Sequence, residues 1–369
     1  MATHTPALGS GRALRTYGIA RALAANGGLD LLYARFGANE PDEAFSAIPD
    51  VALHRVVPSR RARRLLAYGA ARASGVPDGF ARGISPELAH AARALGDDPR
   101  RGRVIADGPT AAATLAGLAR ARPVIYNAHN LESGFRHDLD ASGLGSPRAL
   151  RAFERRLLAS VAESWMVSRS DMRAAHELCP QAHLRYVPNV VDVAAIAPVS
   201  PSAGEMRAMF VANFAYEPNL NGLRFLLDDV FPRVWEELPD ARLALVGGGL
   251  DRPAGMDARV ETLGFVPDLA DTYARASCAL APLLQGGGTP LKLIEALAYG
   301  LPVIATPRAV AGLEVRDGVH CLIADGAGAF AGTLAAVLRG DAPPELGRHG
   351  RELATERYSI EALGSILAE

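Results

Sequence analysis

Lysine is almost absent from this chain: of 39 basic residues among 369, Lys292 is the one lysine and the other 38 are arginine. Such a ratio follows codon supply in a GC-rich bacterial genome, where arginine replaces lysine wherever it serves, so Lys292 is the position that needs an explanation. Cysteine is scarce as well. Cys179, Cys278 and Cys321 are odd in number and widely spaced, which excludes a disulfide framework and a zinc knuckle and leaves them as small apolar core residues. Long apolar runs are missing: a stretch such as 278–284 is far short of the ~18–20 residues that cross a bilayer, and the N-terminus has no apolar signal region. The expected location is the cytosol.

What is present has the composition of a globular protein. With 49% hydrophobic and 21% charged residues, disorder and collagen-like fibre are excluded, and at roughly 100–200 residues per domain the length predicts two domains. The net charge of −1 hides an asymmetry, because residues 1–187 carry 25 Arg against 17 Asp and Glu, whereas residues 188–369 carry 13 Arg and Lys292 against 23 acids. Halves of opposite sign fit two domains with different partners. No RNA- or DNA-binding signature accompanies the basic half, so nucleic acid is not an expected partner.

Short β-branched runs alternate with Ala/Arg/Leu stretches of helical period. Residues 29–35 (LDLLYAR), 103–106 (RVIA), 123–127 (PVIYN) and 164–168 (SWMVS) read as strands, and 14–25, 86–95, 110–120 and 147–162 as helices. The pattern restarts after Val187-Pro188-Asn189, with strands at 206–211, 241–246, 276–282, 301–306 and 321–324. Alternation of this kind predicts an α/β fold with two doubly wound parallel sheets, here 1–187 and 188–350, and a helical segment 351–369 that can pack back on the first domain. Ligands in such sheets bind at the carboxyl ends of the strands, which makes the cleft between the domains the expected site.

Residues 282–305 read PLLQGGGTPLKLIEALAYGLPVIA. A strand ends, Gly286, Gly287 and Gly288 follow, and a helix begins at Thr289 and Pro290 and stops at Gly300. Thr289 suits a cap, Pro290 the first helical position and Gly300 the C-terminal turn. Taken alone, three glycines also suit a plain loop, and a Lys/Glu pair three apart a solvated face. As a site, the helix start behind the glycines offers amides and dipole to phosphate oxygens, Lys292 adds a point charge where arginine evidently does not serve, and Glu295 can accept from two vicinal hydroxyls. Anion site plus diol site reads as a pocket for a nucleoside diphosphate.

Several pieces in order carry a resemblance: FVANFAYEPNLNG (210–222), LVGGG (245–249), GFVP (264–267), GGGTPLKLIEALAYGLPVIAT (286–306) and GLEVRDG (312–318). Residues 204–340 resemble the C-terminal domain of retaining glycosyltransferases of the GT-B fold, family four, the "glycosyl transferases group 1" set, in the subgroup with GGGT-x-LK. That resemblance implies two Rossmann-like domains facing a central cleft. It implies that Gly286, Gly287, Gly288, Thr289, Pro290, Leu291 and Lys292 hold the donor diphosphate, Glu295 the ribose and the Phe265-Val266 segment the base. Many members carry a carboxylate where this chain has Gly287, which implies altered sugar contacts. Basic residues that many carry after the first strand of this domain are replaced by Asn213, Tyr216 and Asn219, which leaves Lys292 more of the diphosphate charge.

The first domain matches through ALGSGR (7–12), like the family's glycine loop with Gly9, Gly11 and Arg12, and through VIYNAHNLE (124–132), where the family places a cleft histidine. His129 takes that place, with Asn130 and Glu132 beside it and Asp107 at another strand end. Only residues 1–6 precede the glycine loop, so the strand expected there is almost missing, through an upstream start or a shortened strand. The resemblance implies transfer of a sugar, with retention, from a UDP- or GDP-linked donor to an acceptor hydroxyl in cell-envelope polysaccharide or glycolipid synthesis. It implies no metal and no cofactor beyond the nucleotide sugar, with His129, Lys292 and Glu295 as the reacting-centre residues. Arg60, Arg61, Arg63 and Arg64 ahead of Leu65 and Leu66 suit either a solvated helix start or docking on anionic lipid at the inner membrane face, the latter with a lipid-linked acceptor. Two other readings stay open: a nucleotide-sugar epimerase of the same fold, and a degenerate partner subunit that binds nucleotide or glycan.

Overall fold

The computed structural model describes residues 1–6, 11–35, 40–57, 61–98, 102–134, 146–200, 205–250, 255–285 and 289–368. Two compact units are formed, Met1–Asn189 with Leu363–Glu369, and Val190–Ala362.

The first unit is a seven-stranded sheet in the order β3-β2-β1-β4-β5-β6-β7. Its strands are β1 Ala2–His4, β2 Leu29–Ala34, β3 Val51–Val56, β4 Val104–Asp107, β5 Val124–Asn127, β6 Glu163–Met166 and β7 Leu184–Tyr186. Every pairing is parallel. Leu32, Phe80, Leu88, Tyr126, Phe153, Leu157 and Met166 belong to one buried cluster in this unit.

The second unit repeats the winding with six parallel strands in the order β10-β9-β8-β11-β12-β13. These are β8 Arg207–Val211, β9 Arg242–Val246, β10 Val260–Gly264, β11 Cys278–Ala281, β12 Val303–Ala305 and β13 Leu322–Ile323. Alternate residues face opposite layers: Phe210 joins a cluster with Phe214, Phe231 and Phe330, while its neighbour Met209 joins Ala279, Leu293 and Leu297. Cys179, Cys278 and Cys321 are buried and free. In each sheet the chain reverses direction of winding beside the first strand, between β1 and β4 and between β8 and β11, and these are the places where a doubly wound sheet opens a crevice for ligand.

Three expectations need correction, and the strand expected to be almost missing is a short one. The first strand is present as β1, three residues long, in register with both β2 and β4. The helix expected over 110–120 runs only Pro109–Leu115, because the chain breaks into turns around Gly117. The helical segment expected over 351–369 is two helices, Leu346–Tyr358 and Ile360–Ala368, interrupted where Ser359 bridges to Val191. Strands β3, β7 and β10 were not expected at all. Each is a sheet edge, and edge strands such as VALHRV and VETLG carry polar residues that break the apolar run. Among the described residues, no helix is long and apolar enough to cross a membrane.

Candidate functional site

In the second unit the helix after β11 is Leu291–Tyr299, closed by Gly300 in the left-handed conformation with φ 78°. Gly286, Gly287 and Gly288 lie outside the described residues. Thr289 does not cap this helix: Pro290 holds the cap position with no side-chain hydrogen bond, and Thr289 is buried before it. Among the described residues, no side-chain cap hydrogen bond serves the first-turn amides.

Lys292 sits on that turn. Its ammonium donates to Asn219 Oδ1 and lies 4.9 Å from the centre of the Phe210 ring. Asn219 belongs to the helix Glu217–Arg224, just beyond β8, and is itself turned by its Nδ2, which donates to the Asn213 carbonyl at 2.8 Å. Burial lowers the Lys292 pKa from 10.5 to about 7, since no carboxylate compensates the loss of water. Glu295 lies one turn further on. Burial raises its pKa from 4.5 to about 7, and among the described residues it has no hydrogen-bond or ion-pair partner. Its charge is felt by Tyr273 and Tyr299, which stack at 4.0 Å between ring centres. An ammonium and a carboxyl that each lack a charged partner among the described residues can receive, respectively, an anion and a pair of hydroxyls.

The structure thus joins Asn213, Asn219 and Lys292 and sets Thr289, Pro290, Leu291 and Glu295 on the same short stretch. Tyr216 is exposed at the helix start beyond β8, and Phe265, 77% exposed, follows β10 with Val266, two strands from β8. An exposed aromatic at a strand's carboxyl end is suited to stacking a base. Phe210 was not expected in the site. It reads as an ordinary core residue, and its ring face becomes functional only through the lysine that settles on it.

In the first unit the expected residues gather around a buried carboxylate. Asp107, at the end of β4, accepts from Thr16 Oγ1 at 2.7 Å, Asn127 Nδ2 at 2.7 Å and His129 Nε2 at 2.9 Å. With Nε2 donating to this carboxylate, the neutral His129 ring keeps Nδ1 as its acceptor nitrogen. Behind it Arg15, 2% exposed, donates to Asn127 Oδ1 at 2.7 and 3.0 Å, to the Val187 carbonyl at 2.8 Å and to Asn189 Oδ1 at 3.2 Å. Burial brings the Arg15 pKa down to about 10, with Asp107 opposing the fall. Arg12, near the start of the helix Gly11–Ala25, pairs with Glu132 at 3.1 Å. Gly9 lies outside the described residues, Gly11 is exposed, and Asn130 is half-buried.

Glu154 supports the histidine loop from below. One carboxylate oxygen accepts from the Glu132 amide at 2.7 Å and the other from the Ser133 amide at 3.1 Å, and burial raises its pKa to about 7. Sequence reasoning missed Glu154, Arg15, Thr16 and Asn127. A signal was available for two of them: Asn127 ends an apolar strand, VIYN, and Arg15 interrupts a helix face of buried small residues.

Residues 205–340 match the family model of glycosyl transferases group 1. Among relatives, the phosphatidyl-myo-inositol mannosyltransferase of Mycobacterium leprae is 28% identical over 227 residues, which cover 58% of this chain and 59% of that one. The match thus spans about three fifths of the relative's length. Among solved structures, HepE of Anabaena in complex with UDP is 15% identical with a TM-score of 0.72, over 100% of this chain and 97% of that one. Sucrose-phosphate synthase of Thermosynechococcus elongatus is 17% identical with a TM-score of 0.73, over 99% and 96%. The fold of this chain is GT-B.

The two perturbed groups on the helix Leu291–Tyr299 make opposite predictions for stability. Lys292 keeps its proton up to 10.5 unfolded but only to about 7 folded, so its burial penalty is complete below pH 7 and relieved as pH rises toward 10.5. Glu295 is penalised fully above about pH 7 and not at all below 4.5. Lys292→Met is therefore expected to raise the unfolding free energy at pH 6 by roughly 1–3 kcal/mol, and Glu295→Gln by a similar amount at pH 8 but not at pH 4. Urea denaturation across that range measures both, and a loss of stability in either variant contradicts the assignment.

Proposed function

We propose that this protein is a glycosyltransferase that moves a sugar from a UDP- or GDP-linked donor to an acceptor hydroxyl, with retention of configuration and without a metal ion. The observation that carries the reading is the Lys292 ammonium, largely buried on the first turn of its helix beside the crevice of the second sheet, with only a neutral amide and an aromatic face for company among the described residues. Such a cation favours an anion of fixed geometry, and a diphosphate there would also meet the first-turn amides. Glu295, one turn on, suits the ribose hydroxyls, and Phe265 suits the base.

Chemistry then consists mainly of stabilising the leaving group. As the bond from the sugar C1 to the diphosphate oxygen breaks, negative charge grows on that oxygen, and the ammonium and amides interact with it more strongly than with the ground state. The acceptor oxygen forms the new bond to C1 on the same face, and its proton leaves with the departing diphosphate. On this reading His129 contacts the transferred sugar, its ring fixed by Asp107, and Glu132 with Arg12 lies on the acceptor side. The match to residues 205–340 and the UDP complex of the HepE structure support a nucleotide-sugar donor.

For the acceptor, the support comes from the helix Arg61–Ala73. Its first turn carries Arg61, Arg63 and Arg64, all exposed, and Leu65 and Leu66 beside them are 60% and 74% exposed. Arg60 lies outside the described residues. Exposed leucines flanked by arginines suit the boundary of an anionic membrane, and the mannosyltransferase relative is named for a phosphatidyl-inositol substrate. These features support a lipid-linked acceptor of the cell envelope at the inner membrane face over a merely solvated helix start.

Calorimetric titration with UDP, GDP and ADP tests the donor reading. One of the three is expected to bind, and Lys292→Arg is expected to weaken it by roughly tenfold or more, since a planar guanidinium does not fit a point-charge site. Absence of any nucleotide binding sinks the reading in favour of a degenerate subunit, and turnover of the matching nucleotide sugar without an added acceptor favours an epimerase. For the membrane, the protein is expected to sediment with anionic liposomes at low salt and to leave them at high salt; absence from the pellet at both contradicts lipid docking.

A further inference from the structure

Why the only lysine of the chain faces an asparagine is a separate question from what it binds. A buried ammonium is normally compensated by a carboxylate. Here the acceptor is the Oδ1 of Asn219, 8% exposed, and its orientation leaves no choice: Nδ2 is committed to the Asn213 carbonyl at 2.8 Å, so the oxygen must point to Lys292. Asn213 is fixed in turn, its own Oδ1 accepting from the Ala215 amide at 3.0 Å. On the other side the Phe210 ring, fully buried in β8, lies under the ammonium at 4.9 Å. An ammonium has three N–H bonds. One goes to Asn219, the ring offers a face without neutralising charge, and among the described residues the others meet no acceptor.

The charged groups nearby leave this arrangement uncompensated. Glu217 and Arg224, at the two ends of the Asn219 helix, pair with each other at 3.1 Å and are exposed. Arg207, at the start of β8, pairs with Glu261 at 2.9 Å. Glu295 shares the lysine's helix but does not bond to it, and Tyr273 and Tyr299 pack beside Glu295. Burial alone accounts for the lysine's shift.

We propose that Asn219 is the positioning residue of the anion site: turned by Asn213, it aims the Lys292 ammonium with a neutral acceptor, so that the full positive charge remains for the two negatively charged groups of a diphosphate. Asn219 thereby acts through the lysine and not as a direct phosphate ligand. The inference rests on the donor-site reading above and adds to it a coupling between nucleotide binding and protonation. At pH 7.5 a lysine with a pKa of about 7 is only partly protonated when the site is empty and takes up the remainder of its proton when a diphosphate arrives, while Glu295 releases a smaller share as hydroxyls bind to its carboxylate.

Calorimetry of UDP, GDP or ADP binding at pH 7.5 in buffers of different ionisation enthalpy reads this directly. Wild-type protein is expected to take up about half a proton per nucleotide bound, given a lysine and a glutamate that both titrate at about 7. In Asn219→Asp the new carboxylate keeps the lysine protonated and cancels its charge. Affinity is expected to fall roughly tenfold or more, and the uptake to vanish or turn into the small release due to Glu295. Phe210→Leu, which keeps the core apolar but removes the ring face, is expected to increase the uptake, and it serves if the aspartate variant does not fold. Asn219→Ala, which adds no charge, separates the roles: lower affinity with the wild-type proton count marks a merely structural asparagine, and lower affinity with an altered count marks a positioning one. An unchanged count in these variants, with nucleotide still bound, overturns this inference and spares the donor site; a wild-type protein that binds none of the three nucleotides overturns both.

Discussion

Taking an ammonium out of water without giving it a counter-charge is among the least favourable arrangements in a folded chain, and the second unit is organised around one. Among the described residues, Asn219 and Phe210 hold the Lys292 ammonium without neutralising it. Burial brings its pKa down to about 7. Glu295, one turn along, carries the mirror-image tension of a carboxyl deprived of donors. A helix bearing both is less stable than an apolar one would be, and the deficit is what an anionic, hydroxyl-bearing ligand can restore.

The first unit solves the opposite problem. There the charges are buried in company: Asp107 receives three donors, Arg15 spreads its guanidinium over Asn127, Val187 and Asn189, and Glu154 ties down two consecutive amides. Saturated networks of this kind fix geometry. Their product is a histidine with a defined tautomer on a loop with a defined backbone. One unit thus holds strained, unpaired groups of the sort that bind, and the other holds relaxed, paired groups of the sort that orient.

Much of this was legible in the residues. The central strands of both sheets are continuous apolar runs such as LALV and VIYN, so the doubly wound class and the restart after Asn189 could be read from periodicity. Three of the four edge strands could not, because β3, β7 and β10 mix polar residues into the run. In the site, the rarity of lysine singled out Lys292 and the helix spacing brought Glu295 with it. Thr289 failed as a cap because its side chain is buried and Pro290 stands between it and the helix. Asn219, which stands where many family members carry a basic residue, accepts from the lysine 73 residues away in sequence. No local pattern encodes such a pair; it follows from β8 and β11 lying side by side in the sheet.

Because the chain has a single lysine, the central claim can be tested on one resonance. A sample labelled with ¹⁵N at the lysine side chain gives one ammonium signal, whose titration reports Lys292 with no assignment step. The account predicts a midpoint close to pH 7 in the free protein, displaced upward by roughly two units or more once the preferred nucleoside diphosphate is bound. A midpoint near the ordinary 10.5 that nucleotide leaves unmoved would contradict it.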